Sequence, residues 1–353
     1  MKTDAAVKGL RLSQGASDRN RIATSRKPHY QVHISANGVH YRIAINVQSN
    51  DGSEVEYLVR SHFLHPLTDS LSSLAQGRIE VDSEPGGIAL DFIRGNLAQP
   101  WEFVPLPMTA SGPDNDLNEK LDAYVQRAMS DEAAMIYAFG EPWGPEPQKA
   151  DDYFGFLPGN GTHDIHMNQG NPPGPFARDN GPWQDGGLIF EFPNEQQWVA
   201  VFLKFQSQAW HSDDAGGAPI VPTDPAFPGQ PHTPIDPNVI PPLSLPDGLV
   251  RIIAAYVNDV RTPEHETVTL LNTADVAVDL EGWMIADKQK NKMRLSGSIA
   301  PGATLVVSMV PPVALSNRGG IITLLNSQGI KVHGVSYTRS QASQPGRTIP
   351  FQS

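Results

Sequence analysis

The sequence predicts a multidomain protein: an N-terminal α/β or α+β domain followed by an all-β immunoglobulin-like sandwich. Three observations carry this expectation. The chain has 353 residues, more than one ordinary domain holds, so two domains are expected. The segment "HSDDAGGAPIVPTDPAFPGQPHTPIDPNVIPPLSLPDG", 211–248, is Pro-dense and without periodicity, the composition of an extended linker. The hydropathy pattern also changes across it, from mixed strands and helices to short alternating segments. The expected divisions are a domain over 1–210, the linker 211–248, a domain over 249–340 and a frayed tail over 341–353.

The N-terminal elements follow in order. "HYQVHIS" and "VHYRIAINVQS" form two strands joined across "ANG", a hairpin with Asn-Gly at its turn. Segments near 66–76 and 87–95 read as helices. The best helix is "DLNEKLDAYVQRAMS", 116–130, where Leu117, Leu121, Tyr124, Val125 and Ala128 repeat at helical spacing. Asp116 and Glu119 give it a capping-box-like start. "AMIYAFG", 134–140, reads as a buried strand, followed by "HDIHMNQ", "GGLIFEF" and "WVAVFLKFQSQ". Beyond the linker, "LVRIIAAYV", "ETVTLLN", "VAVDLEGWMIAD", "KMRLSG", "ATLVVSMV", "GGIITLLN" and "IKVHGVSY" are short alternating segments, most of them separated by Gly, Asn, Asp or Pro, the pattern of a β-sandwich.

Composition narrows the chemistry. There is no cysteine, which excludes disulfides, thiolate zinc sites, iron–sulfur clusters and thiol catalysis. The net charge of -12 argues against nucleic-acid binding through overall charge and leaves a local basic groove open. The first thirty residues hold no apolar h-region, and no run of ~18 apolar residues occurs. The expectation is a soluble, cytoplasmic protein without a membrane span, with signal-independent export left open.

Two resemblances rest on these segments. "ETVTLLNTADVAVDLEGWMIAD", "GSIAPGATLVV" and "LSNRGGIITLLNSQGIKVHGVSY" resemble the lamin-tail domain over nearly all of 249–338. That resemblance implies an immunoglobulin-like sandwich serving as an interaction or attachment module, with a protein as its partner. "PHYQVHI…YRIAINVQS", "GPDNDLNEKLDAYVQRA", "IYAFGEPWGPE", "FGFLPGNGTHDIHMNQGN", "WQDGGLIFEF" and "FQSQAWHSDD" resemble the YukJ-like bacterial proteins over 7–214, a family of unknown function. It implies relatives and no reaction.

The chemistry is therefore sought in the residues. Residues i and i+2 of a strand share a face. His29, Gln31, His33 and Ser35 fall on one face of the hairpin with His40, Arg42, Asn46 and Gln48. Tyr30, Val32, Ile34, Tyr41, Ile43, Ile45 and Val47 fall on the other. The polar face is either simply solvated or functional, being rich in groups that donate, accept and titrate near neutrality. In "HDIHMNQ", Asp164, His166 and Asn168 alternate with His163, Ile165, Met167 and Gln169, so the two histidines diverge on a regular strand. Lys204 interrupts an otherwise apolar strand; it is either a functional cation or the point where Lys204, Gln206 and Gln208 emerge into water.

"HxQxHxS…YRIAINVQS" and "HDIHMNQ…WVAVFLKFQSQ" are similar to the paired "HxKx4D" hairpins of the phospholipase D superfamily. The resemblance implies His33 and His166 as the histidine pair, Ser35 and Asn168 at the lysine positions, and Ser49 and Ser207 at the strand-end serines. Neither copy has the lysine, and His40 and Pro173 stand where the aspartate belongs. The expected function is phosphodiester hydrolysis, of nucleic acid or lipid. His33 and His166 would act as nucleophile and acid, with Asn168 and Lys204 beside them. His29, Arg42, Asn46, Gln48 and Gln206 would hold the substrate. No cofactor is required; a divalent-metal version would use His163, Asp164 and Asp185. The alternative is a non-catalytic binding or scaffolding protein whose polar sheet face holds a ligand or partner. No phosphate-binding loop, dinucleotide fingerprint or Gly-x-Ser-x-Gly elbow is present. "GEPWGPEP", 140–147, offers Glu141 and Glu146 around Trp143, a weak sugar-handling signal that reads better as a rigid loop.

Overall fold

A computed structural model describes residues 3–9, 11–16, 29–48, 55–82, 97–98, 102–107, 115–142, 150–151, 153–156, 165–167, 186–205, 249–327, 329 and 331–351. The described residues are mostly β-sheet with few helices. In chain order the N-terminal elements are β1 (Thr3–Gly9), β2 (Arg11–Ala16), β3 (His29–Ala36), β4 (Val39–Asn46), β5 (Val55–Arg60), α1 (Leu67–Ser72), β6 (Gly77–Asp82), β7 (Val104–Leu106), α2 (Asp116–Ser130), β8 (Met135–Pro142), β9 (Ile165–Met167), β10 (Gly186–Phe192) and β11 (Gln197–Phe205).

These strands form one large sheet in the order β2-β3-β4-β9-β8-β10-β11-β5-β7, with β1 bridging β8 and β6 off that path. The β4–β9 pair is parallel, and the other described pairs of this sheet are antiparallel. The β3–β4 hairpin turns through Asn37 and Gly38, both at positive φ (52° and 79°). Asn and Gly are the residues that enter this left-handed region most readily.

The two faces of the sheet bury different material. On one, α2 lays Leu117, Leu121, Val125 and Ala128 over Tyr30, Val32, Ile34, Ile43, Ile45, Ile136, Met167, Leu188, Phe190 and Val201. The alternation predicted for the hairpin's apolar face is thus met residue by residue. On the other, Leu67 and Leu71 of α1 join Leu58, Phe63, Tyr137, Phe139, Ile189, Ala200 and Phe202. The helix expected near 66–76 is shorter and hands over to β6; the one expected near 87–95 lies outside the described residues. The start of α2 also differs from expectation. Its cap is Asn115, whose side chain accepts from the Asn118 backbone N–H. Asp116, expected as the cap, instead accepts a 3.4 Å hydrogen bond from the Tyr57 hydroxyl.

The C-terminal part contains β12 (Val250–Tyr256), β13 (Thr267–Asn272), β14 (Val278–Asp279), β15 (Met284–Ala286), β16 (Lys292–Arg294), β17 (Ser298–Ile299), β18 (Thr304–Ser308), β19 (Gly319–Leu325), β20 (Lys331–Thr338), α3 (Arg339–Ala342) and β21 (Thr348–Pro350). Two four-stranded sheets, β18-β13-β12-β21 and β16-β15-β19-β20, and a two-stranded β14-β17 contribute to one apolar cluster. Ile252, Val268, Leu270, Trp283, Ile285, Ile322, Leu324 and Tyr337 lie at its centre. Residues 341–353, expected to fray, do not do so over their described length. The chain ends α3 at Ala342, then pairs β21 with β12 and buries Ile349. The linker segment 211–248 lies outside the described residues.

Candidate functional site

The hairpin's polar face is not a solvated surface. Gln31, His33, Arg42 and Asn46 are all buried. What covers His33 and Arg42 is Asp151 with residues 153–156, to which the sequence analysis assigned no role. Asp151 is the pivot. Its carboxylate accepts from the backbone N–H groups of Tyr153 (2.9 Å) and Phe154 (2.7 Å), and its backbone N–H donates to the Phe156 carbonyl at 3.0 Å. The same carboxylate faces the Arg42 Nε at 2.7 Å, with both side chains buried. Arg42 also donates to Gln31 Oε1 at 3.2 Å, and its guanidinium lies 4.6 Å from the Tyr153 ring centre. An unpaired buried guanidinium is costly, which accounts for Asp151 once Arg42 is known to be buried; nothing in the local sequence marks Arg42 as buried.

His33 is held in the same way. Its Nε2 lies 2.9 Å from His40 Nδ1, so the two rings share a proton between them. Phe154 and Phe156 stack on His33 at 4.9 and 5.3 Å, and Phe156 also stacks on His40 at 5.6 Å. Burial first, and the neighbouring His40 second, push the His33 pKa down to about 4, with Asp151 pulling weakly the other way. His33 is therefore a neutral, enclosed imidazole near pH 7.

His166 lies elsewhere. In β9 it pairs with Ala44 of β4 on one side and with Glu141 of β8 on the other. Its position relative to His33 follows from the register: two strand spacings across and two residues along, roughly 12 Å between Cα atoms. The expected histidine pair is not brought together as neighbours. His163, Asp164, Asn168, Asp185 and Gln206 lie outside the described residues. His29 pairs across the hairpin with Asn46, and Asn46 accepts from the Gln48 backbone N–H at 3.1 Å.

The register does assemble a different set. Up to Gly140, β8 pairs with β1; from Glu141 it pairs with β9. The sheet forks there, and Glu141 and His166 are the first cross-strand pair beyond the fork. Gly187 of β10 pairs with Phe139 of β8 and with Phe202 of β11. Lys204 and Glu141 stand two residues further along their parallel-running strands, at one level of the sheet. Lys204 in turn pairs with Glu56 of β5. One level thus carries the pair Glu56 and Lys204 on one side of β10, whose described residues start at Gly186, and Glu141, His166, Ala44 and Gln31 on the other. Glu141, read from sequence as part of a rigid loop, was missed because only strand pairing makes it a neighbour of His166. Among the described residues no group of three His, Asp or Glu is arranged to hold a metal ion.

These features define a class first: a β-dominated module with a forked sheet, one polar hairpin sealed under an aromatic loop, and a row of ionisable residues at the fork. The comparisons give the family. Residues 7–217 match the family of uncharacterized conserved proteins DUF2278, and the chain belongs to it. The uncharacterized protein YukJ of Bacillus subtilis (strain 168) is 43% identical over 202 residues, 56% of this chain and 88% of that relative. The expected YukJ-like relationship of the N-terminal part is borne out. No helix among the described residues is long and apolar enough to cross a membrane.

Proposed function

We propose that the N-terminal module is a phosphodiester hydrolase whose reacting histidine is His166, with Glu141 and Lys204 in support. The row at the sheet fork carries this reading: a histidine directly opposite a carboxylate, with a lysine at the same level. In this scheme His166 takes a proton from water as its oxygen attacks phosphorus. The ester P–O bond breaks, and the imidazolium returns the proton to the leaving oxygen. Lys204, with Asn168 and Gln206, offsets charge on the phosphoryl oxygens. Glu141 orients and stabilises the imidazolium. His33, enclosed by His40, Phe154 and Phe156, supports the fold in place of its expected catalytic part. A metal-assisted version would draw on His163, Asp164 and Asp185. The C-terminal module, read as a lamin-tail-like immunoglobulin sandwich, would attach the hydrolase to a protein partner.

A second reading, a non-catalytic binding protein, is favoured by the sealed hairpin. Arg42 and His33 hold the 151–156 loop, whose half-exposed Tyr153 (39% exposed) then offers a ligand surface. The deciding experiment is turnover of bis(p-nitrophenyl) phosphate by the full chain, His166→Ala and Lys204→Ala, with chelator and with Mg2+, Mn2+ or Zn2+. The hydrolase reading expects wild-type turnover and at least a hundredfold loss in His166→Ala. No turnover under any of these conditions leaves the binding reading.

A further inference from the structure

The basic residues of this acidic chain are unevenly distributed. Residues 249–353 carry ten Lys and Arg against seven Asp and Glu, whereas residues 1–248 carry sixteen against thirty-one. Four of the ten cations fall in seven residues, Lys288, Lys290, Lys292 and Arg294, at alternate positions of the β15–β16 hairpin. β16 is an edge strand of its sheet among the described residues. Met293 turns inward against the core, so Lys292 and Arg294 take the opposite face. The side chains of Lys288, Lys292 and Arg294 make no hydrogen bond or ion pair with other described residues.

The turn that presents them is built rather than loose. Asp287, the one acid in the segment, is buried. Its carboxylate accepts from the backbone N–H of Gln289 (2.8 Å), Asn291 (3.0 Å) and Ala314 (3.2 Å) and from the Asn291 side-chain amide (3.0 Å). Two backbone bonds close the turn, Lys290 N–H to the Asp287 carbonyl and Asp287 N–H to the Asn291 carbonyl. Lys290 sits at φ 66°, in the left-handed region, held by these bonds. The carboxylate is thus occupied inside the turn while the cations remain on its surface. The backbone of such a turn is ordered before binding, which removes the backbone share of the ordering cost.

We propose that this hairpin is a contact site for the phosphate backbone of a nucleic acid. The charge pattern calls for a polyanion, and the residues between the cations choose its kind. Gln289 is an exposed amide, Asn291 is exposed with its amide nitrogen turned to Asp287, and Ser296, Gly297 and Ser298 follow, all exposed. An anionic membrane would be met by apolar side chains able to insert; here Met293 and Leu295 pack inward. An amide and hydroxyls among cations suit phosphate and sugar oxygens.

The test uses the full chain and reads binding alone, so it is separate from the phosphodiesterase reading. Fluorescence anisotropy with a labelled 20-nucleotide oligo(dT) and a 20-base-pair duplex is recorded from 20 to 200 mM KCl. Vesicles of phosphatidylcholine with phosphatidylserine form a parallel arm. The variant K288Q/K290Q/K292Q/R294Q is expected to bind oligonucleotide at least tenfold more weakly. The slope of its log affinity against log salt is expected to fall by about 3, at about 0.7 per single-strand phosphate contact. An unchanged melting temperature shows that the variant is folded. R318Q/R347Q, which removes two cations elsewhere in the same half, is expected to bind as wild type. Four results overturn the proposal: no oligonucleotide binding at 20 mM KCl, an unchanged slope in the fourfold variant, equal weakening in R318Q/R347Q, or tighter binding to the vesicles than to either oligonucleotide.

Discussion

Arg42 changes its meaning once its partners are known. In sequence it is one polar residue of an alternating strand, as fit for solvent as for substrate. In the structure it is enclosed with Asp151 at 2.7 Å. Removing one member of a buried pair leaves the other charge uncompensated. Asp151→Ala is therefore expected to lower unfolding stability by about 3–5 kcal/mol in urea titration, and a loss under 1 kcal/mol would show the pair to be dispensable. His33 makes a second residue-level prediction. Its folded pKa, about 4, lies below its ordinary 6.5, so the unfolded chain binds more protons between these values. Its contribution to stability is present above pH 6.5 and is lost as pH falls toward 4. Glu266 runs the other way. Burial first, with Glu264 and Asp287 adding, raises its pKa from 4.5 to about 7. Its contribution is present below pH 4.5 and is lost as pH rises through 7. Melting curves from pH 4 to 7.5 should flatten on their acid side in His33→Asn and on their neutral side in Glu266→Gln. Unaltered pH profiles in these variants would rule out both assignments.

At the scale of elements, periodicity was the legible quantity and pairing was not. The hairpin and α2 follow from local pattern, because burying one face imposes a period of two or 3.6, and β8, β10 and β11, apolar on both faces, follow from short unbroken apolar runs. The cap of α2 lay one residue before the expected one, since Asn115 also donates to the Val47 carbonyl at 2.6 Å, a contact that the local sequence does not encode. Asn115→Ala removes that bond and the cap together and is expected to cost about 1–2 kcal/mol, measurable as a lowered denaturation midpoint with unchanged m-value. The fork in the sheet was illegible for a deeper reason. β9 has only three residues, and its neighbours β4 and β8 come from segments over a hundred and over twenty residues away. Only their pairing makes Glu141 the partner of His166. Gly186, at the start of β10, touches this fork: a Cβ built there would lie 2.5 Å from Met167 Cγ. Gly186→Ala is expected to displace β9, with a loss of about 1–3 kcal/mol in stability. If His166 is the reacting group, turnover should fall as well, and a variant that keeps full stability would show β9 to be tolerant there.

Across the whole molecule, length and pattern led to the expectation of an α/β or α+β domain before an all-β one; the described residues are mostly β-sheet with few helices, and the behaviour of the last residues was not foreseen. The last residues looked like a tail because α3 and β21 are four and three residues long, too short for any periodic signal. Yet β21 completes an edge of the sheet that holds β12. Truncation after Ser343 is expected to expose the β12 edge at Ala254, Ala255 and Tyr256 and to lower the melting temperature of the C-terminal part, whereas an unchanged melting temperature would make β21 an accessory. The Pro-dense 211–248 segment holds no Lys or Arg but several apolar residues, which leads to a further expectation: brief thermolysin treatment should separate two resistant fragments there, and cleavage inside 249–340 first would contradict the two-domain reading.

The close approach of Gly186 to Met167 also binds the histories of these two positions. Met167 is fully buried and fills the space that any larger residue at 186 would need. Neither position can change freely while the other stays. Across the family, a side chain gained at the 186 position should travel with a smaller one at 167, and the two should drift as a correlated pair through lineages in which the ionisable residues around them stay fixed or are lost together.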